Sequence, residues 1–280
     1  MPLTALRLVR KMRGGAQAHL LETEDGGFYV VKFQNNPQHR RILVNELIAA
    51  ELLRYLQLST PEVALSGVSW EFLDNNPDVC IRMGSQRVEV APGWHFGSRH
   101  PGHPERTAIY DFIPDVLLKD VSNLADFLGM LVFDKWAANA DGRQAIFLRA
   151  RVRDWDQEIA GKNPKSGFVA LMIDHGYVFQ GPHWNFEDSP LQGLCARNIV
   201  YHGVRSLESF EPWLTHAANL PEEVVDRAWK QVPREWIQGD EEELEKLLER
   251  LLRRRRLLPD LLRLAARARP EAFPGWRARS

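Results

Sequence analysis

Four ionisable side chains and one amide stand in this chain where apolar surroundings or turn chemistry single them out. Lys32 lies in Tyr29-Val30-Val31-Lys32-Phe33, and a lysine inside an apolar strand must either reach solvent or meet a negative partner. Alternation with a period of two puts Val30 and Lys32 on one face, an apolar roof beside a cation. Glu46, on the stretch that follows, is the acid that could hold Lys32 in place. Asn139-Ala140-Asp141-Gly142-Arg143-Gln144 precedes one apolar strand, and Asp174-His175-Gly176 terminates another. Each feature alone has a plain reading: an edge lysine in solvent, a helix-to-strand loop, a strand closed by a turn. Together, in this order, they are the set that phosphoryl transfer needs. A cation holds the α- and β-phosphates and a carboxylate orients the attacking hydroxyl. An amide oxygen and a second carboxylate carry Mg²⁺. Lys32, Asp141, Gln144 or Asn139, and Asp174 are the candidates for those four tasks.

The elements that must position them are legible from patterning. Leu6–Val9 reads as a short strand entering the turn Gly14-Gly15-Ala16-Gln17, whose backbone N–H groups could cover a phosphate chain. Ala18–Glu22 and Phe28–Phe33 flank Asp25-Gly26-Gly27, a hairpin signal because these residues accept positive φ. Asn35-Asn36-Pro37 breaks the chain before Arg40–Leu56, where Leu43, Leu47, Ala50 and Leu53 recur at helical spacing. Val63–Leu65 and Val79–Met83 read as strands, and Pro92–Glu105 as an irregular Gly/His/Pro stretch. After Ile113-Pro114 the character changes. Asn123–Ala137 reads as a helix capped by Ser122, Ala145–Leu148 and Phe168–Ile173 as two strands joined by a charged loop, and the remainder as helices. The clearest of these are Pro221–Gln231, Asp240–Arg254 and Pro259–Ala268. The expectation is a two-lobed α+β chain, with residues 1–115 forming a β-rich lobe and 116–280 a helical one.

On the Val-Lys strand, the pair Asn45-Glu46, Asn139-x-Asp141 and Ile173-Asp174-His175-Gly176, the sequence resembles the HipA-like kinases and, more distantly, the phosphatidylinositol kinases. The resemblance spans roughly residues 14–176. It implies a bilobal protein-kinase-like fold with ATP and Mg²⁺ between the lobes. Asp141 then resembles the catalytic base, Asp174 the metal ligand, Lys32 the phosphate-binding lysine and Glu46 its partner. Gly14, Gly15, Ala16, Gln17 and Val30 complete the implied ATP site. Two departures stand out. The family carries an Asn several residues after the catalytic Asp, whereas here the loop is shorter and Gln144 takes that place, with Asn139 as the substitute ligand. The turn at Gly14–Ala18 lacks the spaced glycines of conventional protein kinases.

Composition excludes several other classes. With 36 basic against 37 acidic residues the formal net charge is −1, so no long-range field draws the chain to nucleic acid or anionic membrane. At 44% apolar and 26% charged over 280 residues it is neither disordered nor fibrous. It has no uncharged apolar run of about 18 residues to span a membrane. Two cysteines, Cys80 and Cys195, build no disulfide framework, and the amino terminus has too short an apolar run for a signal peptide. The expected compartment is the cytoplasm. His95, His100 and His103 share one loop without a cysteine and read as solvent-exposed or ligand-proximal rather than as a zinc site. Arg253–Arg256 reads as the basic, solvated end of a helix that opens with acids, as the helix dipole favours. Only through that run, or through a partner, would nucleic acid bind. Trp184–Phe186 reads as packing.

The leading expectation is an ATP- and Mg²⁺-dependent kinase acting on a Ser or Thr hydroxyl of a protein, its own included. The alternatives are a small-molecule or lipid kinase, a catalytically dead nucleotide-binding scaffold, and, last, a nucleic-acid-binding regulator.

Overall fold

The computed structural model describes residues 2–151 and 166–277. β1 (Leu3–Lys11), β2 (His19–Thr23) and β3 (Phe28–Lys32) run antiparallel, and α1 (Arg41–Tyr55) follows. Next come β4 (Val63–Val68), α2 (Trp70–Asn75), a hairpin of β5 (Cys80–Met83) and β6 (Gln86–Glu89), and β7 (Gly93–Arg99). Strands in the order β1-β2-β3-β7-β4 close into a barrel, with the parallel β1–β4 pair as its seam. Alternation divides the side chains. Leu21, Tyr29, Val31, Phe33, Ala64 and Val68 fill one buried cluster, while Val30, Lys32, Phe96 and Ser98 point to the opposite face.

The stretch 92–105, expected to be irregular, contains β7, which pairs with both β3 and β4 and so lies inside the sheet. Its glycine misleads for a physical reason. A Cβ on Gly97 would run into Ser66 Oγ and lie 3.3 Å from the Ala64 carbonyl, so this glycine marks a close strand approach and not a loop. Among the histidines of this stretch, His95 differs from expectation, whereas His100 borders a cleft beside Lys32. His95 is fully buried, its Nδ1 3.0 Å from the Gln34 N–H and its ring edge-on to Phe33. His100 is buried at the end of the strand.

The rest of the chain runs through β8 (Ile109–Tyr110), α3 (Asp115–Leu118), α4 (Asp126–Trp136), β9 (Gln144–Arg151) and β10 (Ser166–Ile173). It ends in α5 (Trp213–Ala218), α6 (Glu222–Gln231), α7 (Arg234–Ile237), α8 (Glu241–Arg254) and α9 (Leu258–Ala268). β10, β9 and β8 form a second sheet; the charged loop joining β9 to β10 lies outside the described residues. α4 starts three residues later than its pattern suggests, and Ser122 does not cap it. Instead the Ser122 N–H donates to the Phe168 carbonyl, and Asn123 bonds both Asp126 and the backbone of Ala170. The Ser122 backbone and the Asn123 side chain thus tie the turn to β10.

α1 is buried almost all round, from Ile42 to Leu53. It contacts β7 on one side and α6 and α7 on the other. Its residues join one core cluster with Phe127, Leu131, Trp136 and the leucines of α8 and α9. α1 thus belongs to the barrel by sequence order and to the helices by packing. The basic run at the end of α8 departs from expectation too. Arg254 is buried, with Nη2 2.5 Å from Asp188 Oδ1 and Nε 3.0 Å from the Trp136 carbonyl, whereas Arg253 and Arg256 are exposed. Among the described residues no helix is long and apolar enough to cross a membrane.

Candidate active site

Lys32 ends β3 on the outer face of the barrel, directly opposite Phe96 of β7. Its Nζ lies 2.5 Å from Glu46 Oε1 and 2.8 Å from Asp174 Oδ1, so the strand, α1 and the end of β10 converge on one ammonium. Burial pulls the proton off Lys32, yet the Glu46 and Asp174 carboxylates hold its pKa above the ordinary lysine value. Burial likewise pushes the Glu46 carboxyl up, against the pull of Lys32. Asp174 goes the other way: burial raises it, but the Lys32 charge and hydrogen bond leave it below the ordinary carboxylate value.

Glycine makes this convergence possible. A Cβ on Gly176 would collide with Ile42 Cγ2, so only glycine lets α1 approach the end of β10 this closely. The approach is then fixed by hydrogen bonds. Glu46 Oε2 accepts the His175 N–H at 3.1 Å. Asn45 Nδ2 lies within 3.0 Å of the carbonyls of Gly176, Val178 and Gly181, and Asn45 Oδ1 accepts from Trp184 Nε1 at 2.8 Å. Trp184, expected to pack, is buried in the main core cluster. Asp174 itself has φ of 61°, a left-handed conformation that Asp tolerates better than most residues.

The β9–β10 register supplies the next group. Gln144 stands opposite Ile173, one residue before Asp174. Its Nε2 is 3.2 Å from Asp174 Oδ2 and 3.3 Å from Asp141 Oδ2, so one amide bridges both carboxylates. Asn139 serves the loop instead. It is fully buried, its Nδ2 donating to Asp134 Oδ1 and its Oδ1 accepting the Asp141 N–H.

A cleft of about 650 Å³ opens between the barrel face and the second sheet. Gly14, Gly15, Ala16, Val30, Lys32 and Glu46 line it from the barrel side, and Gln144, Ile146, Ile173 and Asp174 from the other. Two sequence-derived candidates stand apart. Gln17 is not a lining residue; its amide makes two 2.7 Å hydrogen bonds with the backbone of Arg82. Asp141 is exposed and not a lining residue, reached from the cleft through Gln144. A cleft of this size, lined by apolar and charged side chains together, suits a cofactor-sized ligand. Among the described residues no group of three His, Cys, Asp or Glu side chains is placed to hold a metal alone. Asp174, Gln144 and Asp141 are nonetheless hard oxygen donors, the kind that bind Mg²⁺ when phosphate supplies the remaining ligands. The Gln144 amide need only rotate to present its oxygen.

Sequence reasoning missed the support beneath this site. Arg143 and Asp134 form a pair with side chains 1% and 0% exposed. Arg143 Nε lies 2.9 Å from Asp134 Oδ2, while Nη1 reaches the Ile173 carbonyl at 2.9 Å and His175 Nδ1 at 3.1 Å. Burial first, then the charges of Arg143 and Lys32, hold the His175 imidazole well below its ordinary pKa, so it is neutral and can accept from Arg143. The available signal was Asp134 itself, an acid in the apolar run Phe127–Trp136.

Comparison with solved structures finds the Golgi casein kinase with Mn/ADP bound at a TM-score of 0.46, with 11% identity over 94% of this chain and 72% of that one. A second structure of the Golgi casein kinase scores 0.47, with 11% identity over 96% of this chain and 74% of that one. No curated protein matches. The family model described as HipA-like kinase matches residues 6–147, half of the chain, and takes in the barrel from Leu6 of β1 onward with α1, α4 and the Asp141 loop. The chain belongs to the HipA-like kinase family.

Proposed function

We propose that this kinase transfers the γ-phosphoryl group of ATP, with Mg²⁺, to a hydroxyl of a protein Ser or Thr, its own included. The observation that carries the reading is the single ammonium of Lys32 held between Glu46 and Asp174, with Gln144 joining Asp174 to Asp141. In this reading the outer barrel face, with Val30, roofs the base, and the Gly14–Ala16 turn covers the phosphates. Lys32 engages the α- and β-phosphates, and Glu46 keeps it aimed. Asp174 and the Gln144 oxygen hold the metal, which supplies charge neutralisation at the transferring phosphate. Asp141, exposed beside them, accepts the proton of the attacking hydroxyl. Asn139 holds the Asp141 loop, which leaves Gln144 as the amide ligand. The division into two lobes near residue 115 belongs to the same reading, supported by the barrel's own small core. So does a cytoplasmic setting, supported by two buried, free cysteines.

Turnover of labelled ATP on a generic protein acceptor tests this, with Mg²⁺ against EDTA. Asp141→Asn is expected to keep ATP binding and lower turnover by at least ~10²-fold, the low end for losing a positioned general base. Lys32→Ala is expected to lose both. A wild-type rate in Asp141→Asn, or no thermal shift of the wild-type chain with ATP and Mg²⁺, overturns the reading.

A further inference from the structure

The glycine turn over the cleft, Gly14–Gln17, carries no cationic side chain of its own. It lacks spaced glycines, and the Gln17 side chain is committed to Arg82. Lys32 is flanked by two carboxylates, so the Lys32–Glu46–Asp174 group as a whole carries no surplus positive charge for a polyphosphate. Other cations line the same cleft. Of these, Arg99 is paired with Glu62 at 2.7 Å and Lys11 donates to Cys80 Sγ at 3.2 Å. Arg10 and Arg13 line the cleft as well, are exposed, and have no acidic partner among the described residues.

Their placement follows from the backbone of β1. The pairing of β1 with β2 slips by one residue between Leu8 and Arg10, so that Arg10 stands opposite Leu20 and Lys11 opposite His19. Without that bulge Arg10 would face His19, whose ring packs against Phe33 on the interior side of the barrel. The bulge turns Arg10 onto the row of Leu20, Val30 and Ser98, the face that borders the cleft. Arg13 lies three residues on, at the entry to the turn beyond the Lys32 row.

We propose that Arg10 and Arg13 form a guanidinium clamp on the polyphosphate of the nucleotide, adding side-chain charge to the backbone donors of this turn. The inference rests on the nucleotide reading above and assigns two residues to it that neither the motifs nor the family resemblance supplied. Guanidinium groups suit the task because their fixed fork of donors matches phosphate oxygens bidentately.

Binding of ATP, adenosine and inorganic tripolyphosphate to the full chain, followed by calorimetry at two salt concentrations, separates the possibilities. In Arg10→Ala/Arg13→Ala, ATP affinity is expected to fall on the order of tenfold or more, as for lost charge-assisted hydrogen bonds. Its salt dependence should flatten, while adenosine binding and the unliganded melting temperature stay put. Tripolyphosphate should compete with ATP on the wild type and lose that ability on the variant, and Arg10→Lys/Arg13→Lys should recover part of the affinity. Unchanged ATP affinity in the double variant overturns the clamp and leaves the nucleotide reading standing. Equal losses for ATP and adenosine also overturn it, since they would mean a structural role. If the wild type binds no ATP, both fall together.

Discussion

The buried pair Asp134–Arg143 permits a test that uses no ligand. Both side chains are excluded from solvent, and Asp134 accepts from Arg143 Nε, Arg143 Nη2 and Asn139 Nδ2. Asp134→Ala would leave a guanidinium in the core with two neutral acceptors, the Ile173 carbonyl and His175 Nδ1. Breaking a buried pair on one side costs about 3–5 kcal/mol, because the remaining charge is uncompensated. At about 2–4 °C per kcal/mol for a chain of this size, the melting temperature should fall by about 6–20 °C. Replacing both partners by apolar residues of similar volume, Asp134→Leu/Arg143→Met, removes the stranded charge. That double variant should be more stable than Asp134→Ala, with a coupling energy that a double-mutant cycle in denaturant resolves. The same pair anchors the loop carrying Asp141 to the end of β10. Assayed well below its melting temperature, Asp134→Ala should therefore lose turnover more than it loses ATP binding. A cost under about 1 kcal/mol for Asp134→Ala, or a double variant no more stable than it, would refute the argument.

Two further outcomes follow from the site and its surroundings. Gln144→Ala should raise the Mg²⁺ concentration for half-maximal rate, whereas Asn139→Ala should chiefly lower the melting temperature, because its amide bonds lie wholly inside the protein; a silent Gln144→Ala with an Mg²⁺ effect in Asn139→Ala reverses that assignment. Burial lowers His95 to about 4, so the unfolded chain takes up a proton that the folded one refuses as pH falls below the ordinary histidine range. The stability contributed by a neutral His95 is present above about pH 6.5 and lost towards about pH 4, an effect of roughly 3 kcal/mol. His95→Phe should flatten part of that acid limb in a pH series of melting temperatures, and an unchanged slope would show that His95 does not carry it.

Local chemistry was enough for much of this protein. Asp25-Gly26-Gly27 turns where a hairpin must turn, and Leu244, Leu247, Leu248 and Leu251 bury the face of α8 that their spacing names. Lys32, Glu46, Asp141 and Asp174 were singled out by residue type in apolar or turn-rich surroundings, and three of them meet within hydrogen-bond distance while the fourth joins through Gln144. These features depend on neighbours within one or two turns of chain, which a sequence displays. The rest depends on partners far along the chain. β7 is a strand because β3 and β4 flank it, and Gly97 is glycine because Ser66 is close, neither of which local propensity registers. In the sequence Asn45 is half of a motif, but its part in gathering three carbonyls after Asp174 exists only once α1 reaches that turn. Arg143 is one residue of a turn-rich loop in the sequence, and only in the fold does Asp134, on the preceding helix, meet it in the core. Residue types and order were sufficient to name the chemistry. Tertiary structure alone decided which side chains face the cleft and which ones hold the others still, because desolvation and long-range pairing set the energy of every buried charge.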